Sequence, residues 1–446
     1  MDGITGGQEG QDIRSDSYIL DHRVEGLFPS LSSGICLGLK RTRDALKILA
    51  NPHHSYRTIH VGGTNGKGSV ASTLAAVLEM AGFRTGCYTS PHLCSFRERI
   101  RVSGKFLTPK RLLSLAEDMA DIPGRCGLTF FEAATILGLY AFEQEGVEIA
   151  VVEVGLGGRL DATNVITPEV TGITNIAMDH SDYLGSSLQE IAREKLGIVK
   201  PHVPLITTES DPALLEIFRE VTSQNKAPLV RAKTPAANHV SIHADGTSFH
   251  LETDKWGALQ IETPLIGRHQ VLNTCLAIEM LAQMPVELRP QSDVLRAAVA
   301  GVKHFGRNQI EVIDGRTWLF DVAHNPAGTD SLIDTIDSLD LPRPLVALVG
   351  VLGDKDWKTM ISSLMSRVDQ AVLTQPPSVP FERCWNPENV EKNLGVTEHL
   401  RVEKDFEQAV LQARTDAGNG TVVVTGSVHT VGSALQILNK EPLRGV

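Results

Sequence analysis

Residues 58–80 read TIHVGGTNGKGSVASTLAAVLEM, a short apolar run followed by a glycine-rich turn and a longer run of helix-forming residues. Thr58–Val61 predicts a buried strand, and Ser69–Met80 predicts a helix that ends before Gly82. Glycines between a strand and a helix let backbone N–H groups approach phosphate oxygens closely, and the helix N-terminus adds partial positive charge. The pattern therefore predicts a phosphate-binding loop within an α/β fold.

The loop Gly62–Ser69 departs from the strict pattern G-x-x-x-x-G-K-[ST], because Gly68 is inserted between Lys67 and Ser69. Lys67 is placed to reach the β- and γ-phosphates of ATP, and the generic rule gives the Mg²⁺ ion to Ser69. The alternative is a glycine-rich turn with an exposed lysine, which the flanking strand and helix disfavour. The loop predicts a protein that binds ATP and uses it for chemistry.

Short apolar runs alternate with longer helical runs along the rest of the chain, as is typical of a mainly parallel sheet. The first group comprises strands Thr85–Thr89, Glu148–Val154 and Val170–Asn175 and helix Phe131–Glu143. After Gly301–Arg307 the pattern restarts with strands Trp318–Asp321, Leu345–Val351, Gln370–Leu373 and Thr421–Thr425.

These groups predict two α/β domains of unequal size. We expect a flexible tail at 1–18, a P-loop-type, mainly parallel sheet domain that binds ATP at 19–300, and a smaller C-terminal Rossmann-like α/β domain at 305–446. Residues 228–262 form short alternating runs, which predict a small antiparallel element inside the first domain.

Composition excludes several classes of protein. The 446 residues are 42% hydrophobic and carry a formal net charge of -11, which argues against nucleic-acid binding. The sequence has no apolar run long enough to span a membrane and no secretory h-region near its start. Its six cysteines form no C-x-x-C pair and are too sparse for a disulfide framework. We expect free thiols and a cytoplasmic protein that acts as a monomer.

Glu153 lies inside the apolar run Ile149–Val154. A carboxylate there is costly unless it is paired or holds a metal ion. With a nucleotide loop nearby in the fold, the sequence indicates a Mg²⁺ ligand, and the alternative is a salt bridge at the end of the strand.

Two loops follow predicted strands at the edge where open α/β sheets bind ligands. Gly155–Asn164 combines three glycines with an arginine and an aspartate, which indicates either a binding loop or simple flexibility. Asp179–Gly185 contains His180, whose neutral imidazole is either a metal ligand or polar surface.

Residues 187–199 predict a helix with Ser187 as its N-cap. Leu188, Ile191 and Lys195 share one face at helical spacing, so Lys195 lies on the apolar side. The alternative is that its ammonium group reaches solvent along the helix.

Together these motifs resemble those of folylpolyglutamate synthases, which belong to the Mur ligase superfamily. The resemblance covers residues 20–435. Its earlier motifs are Thr64–Ser69, Thr89–Leu93, Phe131-Glu132, Glu153–Asn164, Asp179-His180 and Glu194–Ile198. Its later motifs are His269-Gln270 with Asn273, Gly306-Arg307, Asp321–Pro326, Asp354–Asp356 and Gly426–Gly432.

The resemblance implies roles in nucleotide and metal binding. Catalytic roles fall to Lys67, His180 and Lys195, and Lys195 aligns with a lysine that is carbamylated in this family. Ser90, rather than Ser69, would hold one Mg²⁺ ion with Glu153, and His180 and the modified Lys195 would serve a second. The ATP site would comprise Thr64, Asn65, Gly66, Lys67, Gly68, Ser69, Asn273, Arg307, Asp321 and His324.

The resemblance also implies a pterin substrate site. That site would comprise Cys36, Leu37, Gly38, Leu39, Thr129, Phe130, Phe131, Glu132, Leu160, Asp161 and Ala162. Two departures stand out: Cys36 replaces an aspartate of some bacterial members, and Phe305–Asn308 replaces a Pro-Gly-Arg-Phe stretch but keeps Arg307.

The activity so implied is ATP-dependent addition of L-glutamate to dihydropteroate and to reduced folates, through an acyl phosphate. One alternative is a folylpolyglutamate synthase alone. A second is a non-catalytic nucleotide-binding module, which would not need Glu153, His180 and Lys195 together. A third is a murein-precursor ligase, which would call for an additional N-terminal domain.

Overall fold

The computed structural model describes residues 20–29, 36–236, 239–380, 383–394 and 399–443. The tail predicted at 1–18 lies outside these residues. Within these ranges no helix combines the length and the apolar character needed to cross a membrane.

The main sheet has eight strands in the order β4-β3-β2-β5-β1-β6-β7-β8. All neighbours from β2 to β8 pair in parallel, whereas β3 and β4 form an antiparallel edge. The strands are β1 Arg57–Gly62, β2 Thr85–Tyr88, β3 Ile100–Val102, β4 Lys105–Phe106, β5 Ile149–Glu153, β6 Val170–Ile173, β7 Leu205–Thr207 and β8 Leu229–Arg231.

Helices cover both faces of this sheet, so β1 and β5 are buried along nearly their whole length. One core packs α6 against the sheet, and a second packs α3, α10 and α11 against the other face. The helices are α1 at 20–26, α2 Lys40–Ile48, α3 Lys67–Met80, α4 Pro109–Asp118, α5 Ile122–Cys126, α6 Phe130–Gln144, α7 Ser181–Leu184, α8 Leu188–Leu196, α9 Pro212–Gln224, α10 Arg268–Gln283 and α11 Ser292–Ala300.

The small antiparallel element is a three-stranded sheet of β9 Val240–His243, β10 Gly246–Thr253 and β11 Gly257–Thr263. Its apolar side chains, including Phe249 and Ile261, join the core beside α10. The predicted start of the element is wrong, because Leu229–Arg231 is β8 and pairs in parallel with β7. Its residues extend the main sheet rather than forming a hairpin.

A third sheet of six strands follows, in the order β12-β13-β17-β14-β15-β16. Only the β12–β13 pair is antiparallel, and cores lie on both faces. The fold class predicted from the sequence is therefore confirmed, while the domain boundaries at 300 and 305 stay predictions. The strands are β12 Gln309–Ile313, β13 Arg316–Phe320, β14 Leu345–Val349, β15 Gln370–Leu373, β16 Leu400–Val402 and β17 Thr421–Thr425. The helices are α12 Pro326–Ser338, α13 Trp357–Met365, α14 Glu388–Leu394, α15 Phe406–Ala417 and α16 Val428–Ile437.

Candidate active site

The glycine-rich loop joins β1 to α3 and is held against the loop that follows β6. Gly63 has φ 130°, and a Cβ there would lie 1.8 Å from Thr174 Oγ1. Only glycine fits this close approach. The backbone N–H of Asn65 donates to Asn175 Oδ1 at 2.8 Å. These contacts fix the loop at the carboxyl ends of two neighbouring strands, where ligands bind in open α/β sheets.

The Lys67 ammonium group folds back over its own loop. Its Nζ donates to the carbonyl oxygens of Gly63 at 3.2 Å and Thr64 at 2.9 Å. Burial lowers the pKa of Lys67, against the attraction of Glu153. Beside it, the Ser69 hydroxyl oxygen is buried and has no hydrogen-bond partner among the described residues. A phosphate oxygen at this loop would satisfy both groups.

Glu153 is the last residue of β5, paired in register with Val61 of β1. Its exposed fraction is 3%, and burial raises the pKa of its carboxyl group against the opposing effects of Lys67 and the Ser90 N–H. The Ser90 N–H donates to Glu153 Oε2 at 3.0 Å. In the described chain Glu153 forms no ion pair at contact distance, so the alternative of a strand-end salt bridge is wrong. Its second oxygen is left for a ligand.

Lys195 points into the interior from α8. The helix begins after Ser187, its predicted N-cap, and Glu190 completes a capping box with that residue. The Lys195 side chain is buried, and its Nζ donates to the Gly63 carbonyl oxygen at 2.9 Å. Burial, helped by the charge of Lys67, lowers the pKa of Lys195 to about 7. The alternative of a lysine reaching solvent is therefore wrong.

The loop after β6 meets the third sheet through Asp179 and His180. Lys355 Nζ donates to Asp179 Oδ1 at 2.5 Å and lies 3.2 Å from His180 Nε2. Burial raises the pKa of Asp179, but the hydrogen bond and charge of His324 and the charge of Lys355 outweigh it and hold that pKa below its ordinary value. Burial lowers the pKa of His180 to about 4, so its imidazole is neutral.

Sequence reasoning did not assign a role to Asp179 or Lys355. Both residues stood in the recognised motifs Asp179-His180 and Asp354–Asp356, which was the available signal. A second connection runs between Asn65 and Asn325, whose side-chain amides exchange two hydrogen bonds of 3.0 and 3.2 Å. Asn325 also caps α12, so the phosphate loop touches the start of a helix on the third sheet.

The predicted nucleotide residues beyond the loop gather around Gly66. A Cβ on Gly66 would lie 2.3 Å from Asn273 Oδ1, so α10 abuts the loop directly. Arg307, Asp321 and His324 line a cavity together with Gly66 and Asn273. The Asp321 carboxylate is tied to the backbone, because it accepts 2.9 Å hydrogen bonds from the N–H groups of residues 308 and 323.

A larger cleft of about 360 Å³ runs between the main sheet and the third sheet. Its lining includes every predicted metal and catalytic residue, together with most of the phosphate loop. These lining residues are Thr64, Asn65, Gly66, Lys67, Gly68, Ser90, Glu153, His180, Lys195, Arg307 and His324.

The predicted pterin residues form a separate group beside the cleft, and none of them lines it in the described structure. Glu132 pairs with Arg41 and caps α6 with Thr129. Phe130 is buried, whereas Phe131 is half-buried and lies against Gly155. The Gly38 N–H donates to the Leu160 carbonyl oxygen at 3.4 Å, which joins this residue to the 36–39 segment. Asp161 accepts backbone hydrogen bonds within its own turn, next to the buried Ala162. Cys36 and Leu37 are exposed, and Leu39 lines a shallow surface hollow with Leu160. Their substrate role stays a prediction.

The donor set suits a magnesium ion at one of the two predicted positions. Ser90 and Glu153 supply hydroxyl and carboxylate oxygens at the cleft wall, the kind of ligand that Mg²⁺ prefers. At the second position, Nε2 of His180 already faces the Lys355 ammonium, and Lys195 is a donor unless it is modified. Among the described residues no three His, Cys, Asp or Glu side chains converge in a way that would hold a metal ion.

The free thiols are confirmed, because the described cysteines form no disulfide.

Comparison with known proteins identifies the family of the chain. Residues 61–281 match the Mur ligase middle domain, and residues 306–428 match the Mur ligase glutamate ligase domain.

Three proteins illustrate the similarity. Folylpolyglutamate synthase of Lacticaseibacillus casei is 31% identical over 415 residues, covering 90% of this chain and 94% of that protein. Dihydrofolate synthase/folylpolyglutamate synthase of Escherichia coli K12 is 32% identical over 416 residues, covering 92% and 93%. The structure of Mycobacterium tuberculosis folylpolyglutamate synthase complexed with ADP aligns with a TM-score of 0.84 at 31% identity, covering 96% of this chain and 99% of that one. The chain therefore belongs, within the Mur ligase superfamily, to the family of dihydrofolate and folylpolyglutamate synthases, which are ATP-dependent glutamate ligases.

Proposed function

We propose that this ligase joins L-glutamate to the carboxylate of dihydropteroate and to the terminal carboxylate of reduced folates. The observation that carries the proposal is the cleft between the two large sheets. It brings a phosphate loop, a buried carboxylate, a buried lysine and an arginine to one space of about 360 Å³. Charge stabilisation by fixed groups is strong in such a partly desolvated cleft.

The first half of the reaction forms an acyl phosphate. The acceptor carboxylate attacks the γ-phosphorus of ATP, and ADP leaves. Lys67 exchanges its two carbonyl contacts for phosphate oxygens, and Arg307, which lines both cavities, offsets further negative charge. Ser90 and Glu153 would hold the Mg²⁺ ion, which neutralises phosphate charge when it is bound.

The second half makes the amide bond. The free amino group of L-glutamate attacks the acyl carbon, a tetrahedral intermediate forms, and phosphate leaves. Two cationic groups, Lys355 and Arg383, line the third-sheet side of the cleft, and we expect them to receive the carboxylates of glutamate. Pairing of an amino acid carboxylate with Arg and Lys is strong and directional.

Lys195 is proposed to act as a carbamate. An ammonium group at this place is repelled by the nearby Lys67, although Asp179 and Asp161 attract it, whereas a carbamate is an anion that would offset the charge of Lys67. The lowered pKa leaves a substantial fraction of the amine unprotonated near neutral pH, which is the form that adds carbon dioxide. Carbamylation would also require Lys195 to release the Gly63 carbonyl.

An acceptor assay tests the function. Purified protein is given MgATP and L-glutamate with either dihydropteroate or tetrahydrofolate, and ADP and amide product are measured. Product with both acceptors is expected. Product with tetrahydrofolate alone would leave a folylpolyglutamate synthase, whose activity is one of the two named for the Escherichia coli relative.

Two controls sharpen this assay. Omission of glutamate should stop amide formation, and the Lys195→Ala variant should lose nearly all turnover while still binding ATP. Wild-type turnover in that variant would reject the carbamate role. Absence of product with both acceptors, in protein that binds ATP, would reject the ligase function in favour of a nucleotide-binding module.

A further inference from the structure

We propose that His304 is a positioning residue for Arg307, holding that guanidinium group in the direction of the phosphate loop. The inference rests on the proposed function, in that Arg307 is taken to bind the nucleotide. His304 lies in the linker between α11 and β12, outside every motif by which the chain resembles its family.

A chain of polar contacts runs through this imidazole. Arg307 Nε lies 3.5 Å from His304 Nε2, and His304 Nδ1 lies 3.3 Å from Ser72 Oγ on α3. Ser72 Oγ accepts a further hydrogen bond of 2.8 Å from Arg101 Nη2. The 3.5 Å contact is at the long end of the range, as is common for active-site contacts that tighten when substrate binds.

Directionality fixes the state of the ring. A guanidinium N–H can only donate, so Nε2 of His304 must be the acceptor. The ring is therefore neutral with its hydrogen on Nδ1, which donates to Ser72 Oγ. Burial and the charges of Arg307 and Arg101 hold the pKa of His304 well below its ordinary value, which agrees with this state.

The imidazole also packs on the phosphate loop itself. A Cβ on Gly68 would lie 2.9 Å from His304 Nε2 and 3.0 Å from its Cε1. Gly68 is the residue inserted between Lys67 and Ser69, so the loop has no side chain where the ring lies. His304 thus contacts the phosphate loop and Arg307 at the same time, and it fixes the position of the guanidinium group relative to the loop.

Positioning has a consequence that a purely structural role lacks. With its Nε held by His304, Arg307 keeps its two terminal nitrogens for the cavities that it lines. Loss of the acceptor at His304 Nε2 should allow the Arg307 guanidinium group to adopt other rotamers. Phosphate binding would then have to select one rotamer of Arg307, at a cost in affinity.

Two polar variants separate the contacts. His304→Gln keeps an acceptor at the ε-like position, whereas His304→Asn reaches only Ser72. The dissociation constant for MgATP is measured by calorimetry, without acceptor or glutamate. We expect His304→Asn to bind about tenfold more weakly and His304→Gln to stay within about threefold of wild type, where tenfold equals about 1.4 kcal/mol. His250→Asn, at an exposed histidine of β10, is the matched control and should bind as wild type.

A double-mutant cycle with Arg307→Ala decides between positioning and an independent role. If His304 acts through Arg307, His304→Asn has no further effect once Arg307 is gone. If the losses of MgATP affinity in His304→Asn and Arg307→Ala multiply in the double variant, or if His304→Asn binds MgATP as wild type does, the inference is overturned. The ligase function is unaffected by either result. Unchanged binding in Arg307→Ala alone would overturn the nucleotide role of Arg307 and the inference with it.

Discussion

Lys355 Nζ, on the third sheet side of the cleft, donates a 2.5 Å hydrogen bond to Asp179 Oδ1 in the loop after β6. Only 5% and 7% of the two side chains are exposed. The pair therefore connects the two large sheets inside the cleft, and it is screened from solvent far more than the ion pairs on the surface.

Removal of one partner from this pair should be costly. We expect Lys355→Met to lower the free energy of unfolding by about 3 kcal/mol, because a buried carboxylate loses its lysine partner, although His324 and Asn325 still contact it. Chemical denaturation of the full chain measures the change. Lys404→Met breaks the exposed pair with Glu388, and it should cost less than about 1 kcal/mol. Equal effects of the two substitutions would show that the Asp179 contact is not a buried pair in solution.

The buried amine of Lys195 should make stability depend on pH. Its pKa is about 7 in the fold, against an ordinary 10.5, so between these values the unfolded chain binds a proton that the native chain does not. Stability should therefore rise with pH through this window, by about 1.4 kcal/mol per unit from this residue, while the cost of burial is fully present below pH 7. Lys195→Met should remove that part of the slope.

Denaturant unfolding of wild type and variant at several pH values, in buffer free of carbon dioxide, measures the difference between the slopes. Lys110→Met, on the exposed side of α4, serves as the control and should leave the slope unchanged. Parallel wild-type and Lys195→Met curves would contradict the burial of an amine at this place.

The hydroxyl groups of Ser69 and Ser90 should have different functions, the first in ATP binding and the second in metal binding. Ser69→Ala removes a buried oxygen that has no hydrogen-bond partner in the described part of the chain, so the nucleotide-free protein should be as stable as wild type or slightly more so. The same variant should bind ATP several-fold more weakly, because that oxygen faces the phosphate site. Calorimetry and thermal unfolding give the two readouts.

Ser90→Ala should act on the metal instead. Its backbone contact with Glu153 remains, but a hydroxyl ligand is lost, so we expect the Mg²⁺ concentration for half-maximal activity to rise about tenfold. If this Mg²⁺ concentration rises more in Ser69→Ala than in Ser90→Ala, the metal ligand is Ser69 rather than Ser90.

Much of the part of the site on the main sheet could be predicted, because buried strands and helices leave a regular spacing of apolar residues in the sequence. Glu153 and Lys195 were each a charged residue in an apolar pattern, and both are buried at the cleft. The contacts of Asp179 with Lys355 and of Asn65 with Asn325 could not be predicted, because they depend on how one sheet docks against another. No periodicity along the chain encodes that docking.

The errors in the fold have a similar origin. β8 was assigned to the antiparallel element because its three residues are too few to show a pattern of burial. The two-residue β4 is defined by its hydrogen bonds to β3 rather than by its composition. The pterin residues were placed by resemblance alone, and in the fold several of them serve first as helix caps and core.

The exchange between Asn65 and Asn325 has a kinetic consequence. Each amide donates one hydrogen bond to the other, and Asn325 Nδ2 also donates to Asp179 Oδ2 at 3.1 Å. A movement that carries Asn325 away from Asn65 and Asp179 would therefore break all three bonds. We expect departure of ADP through this side to require separation of the two asparagines, a movement of the kind that limits turnover in many enzymes.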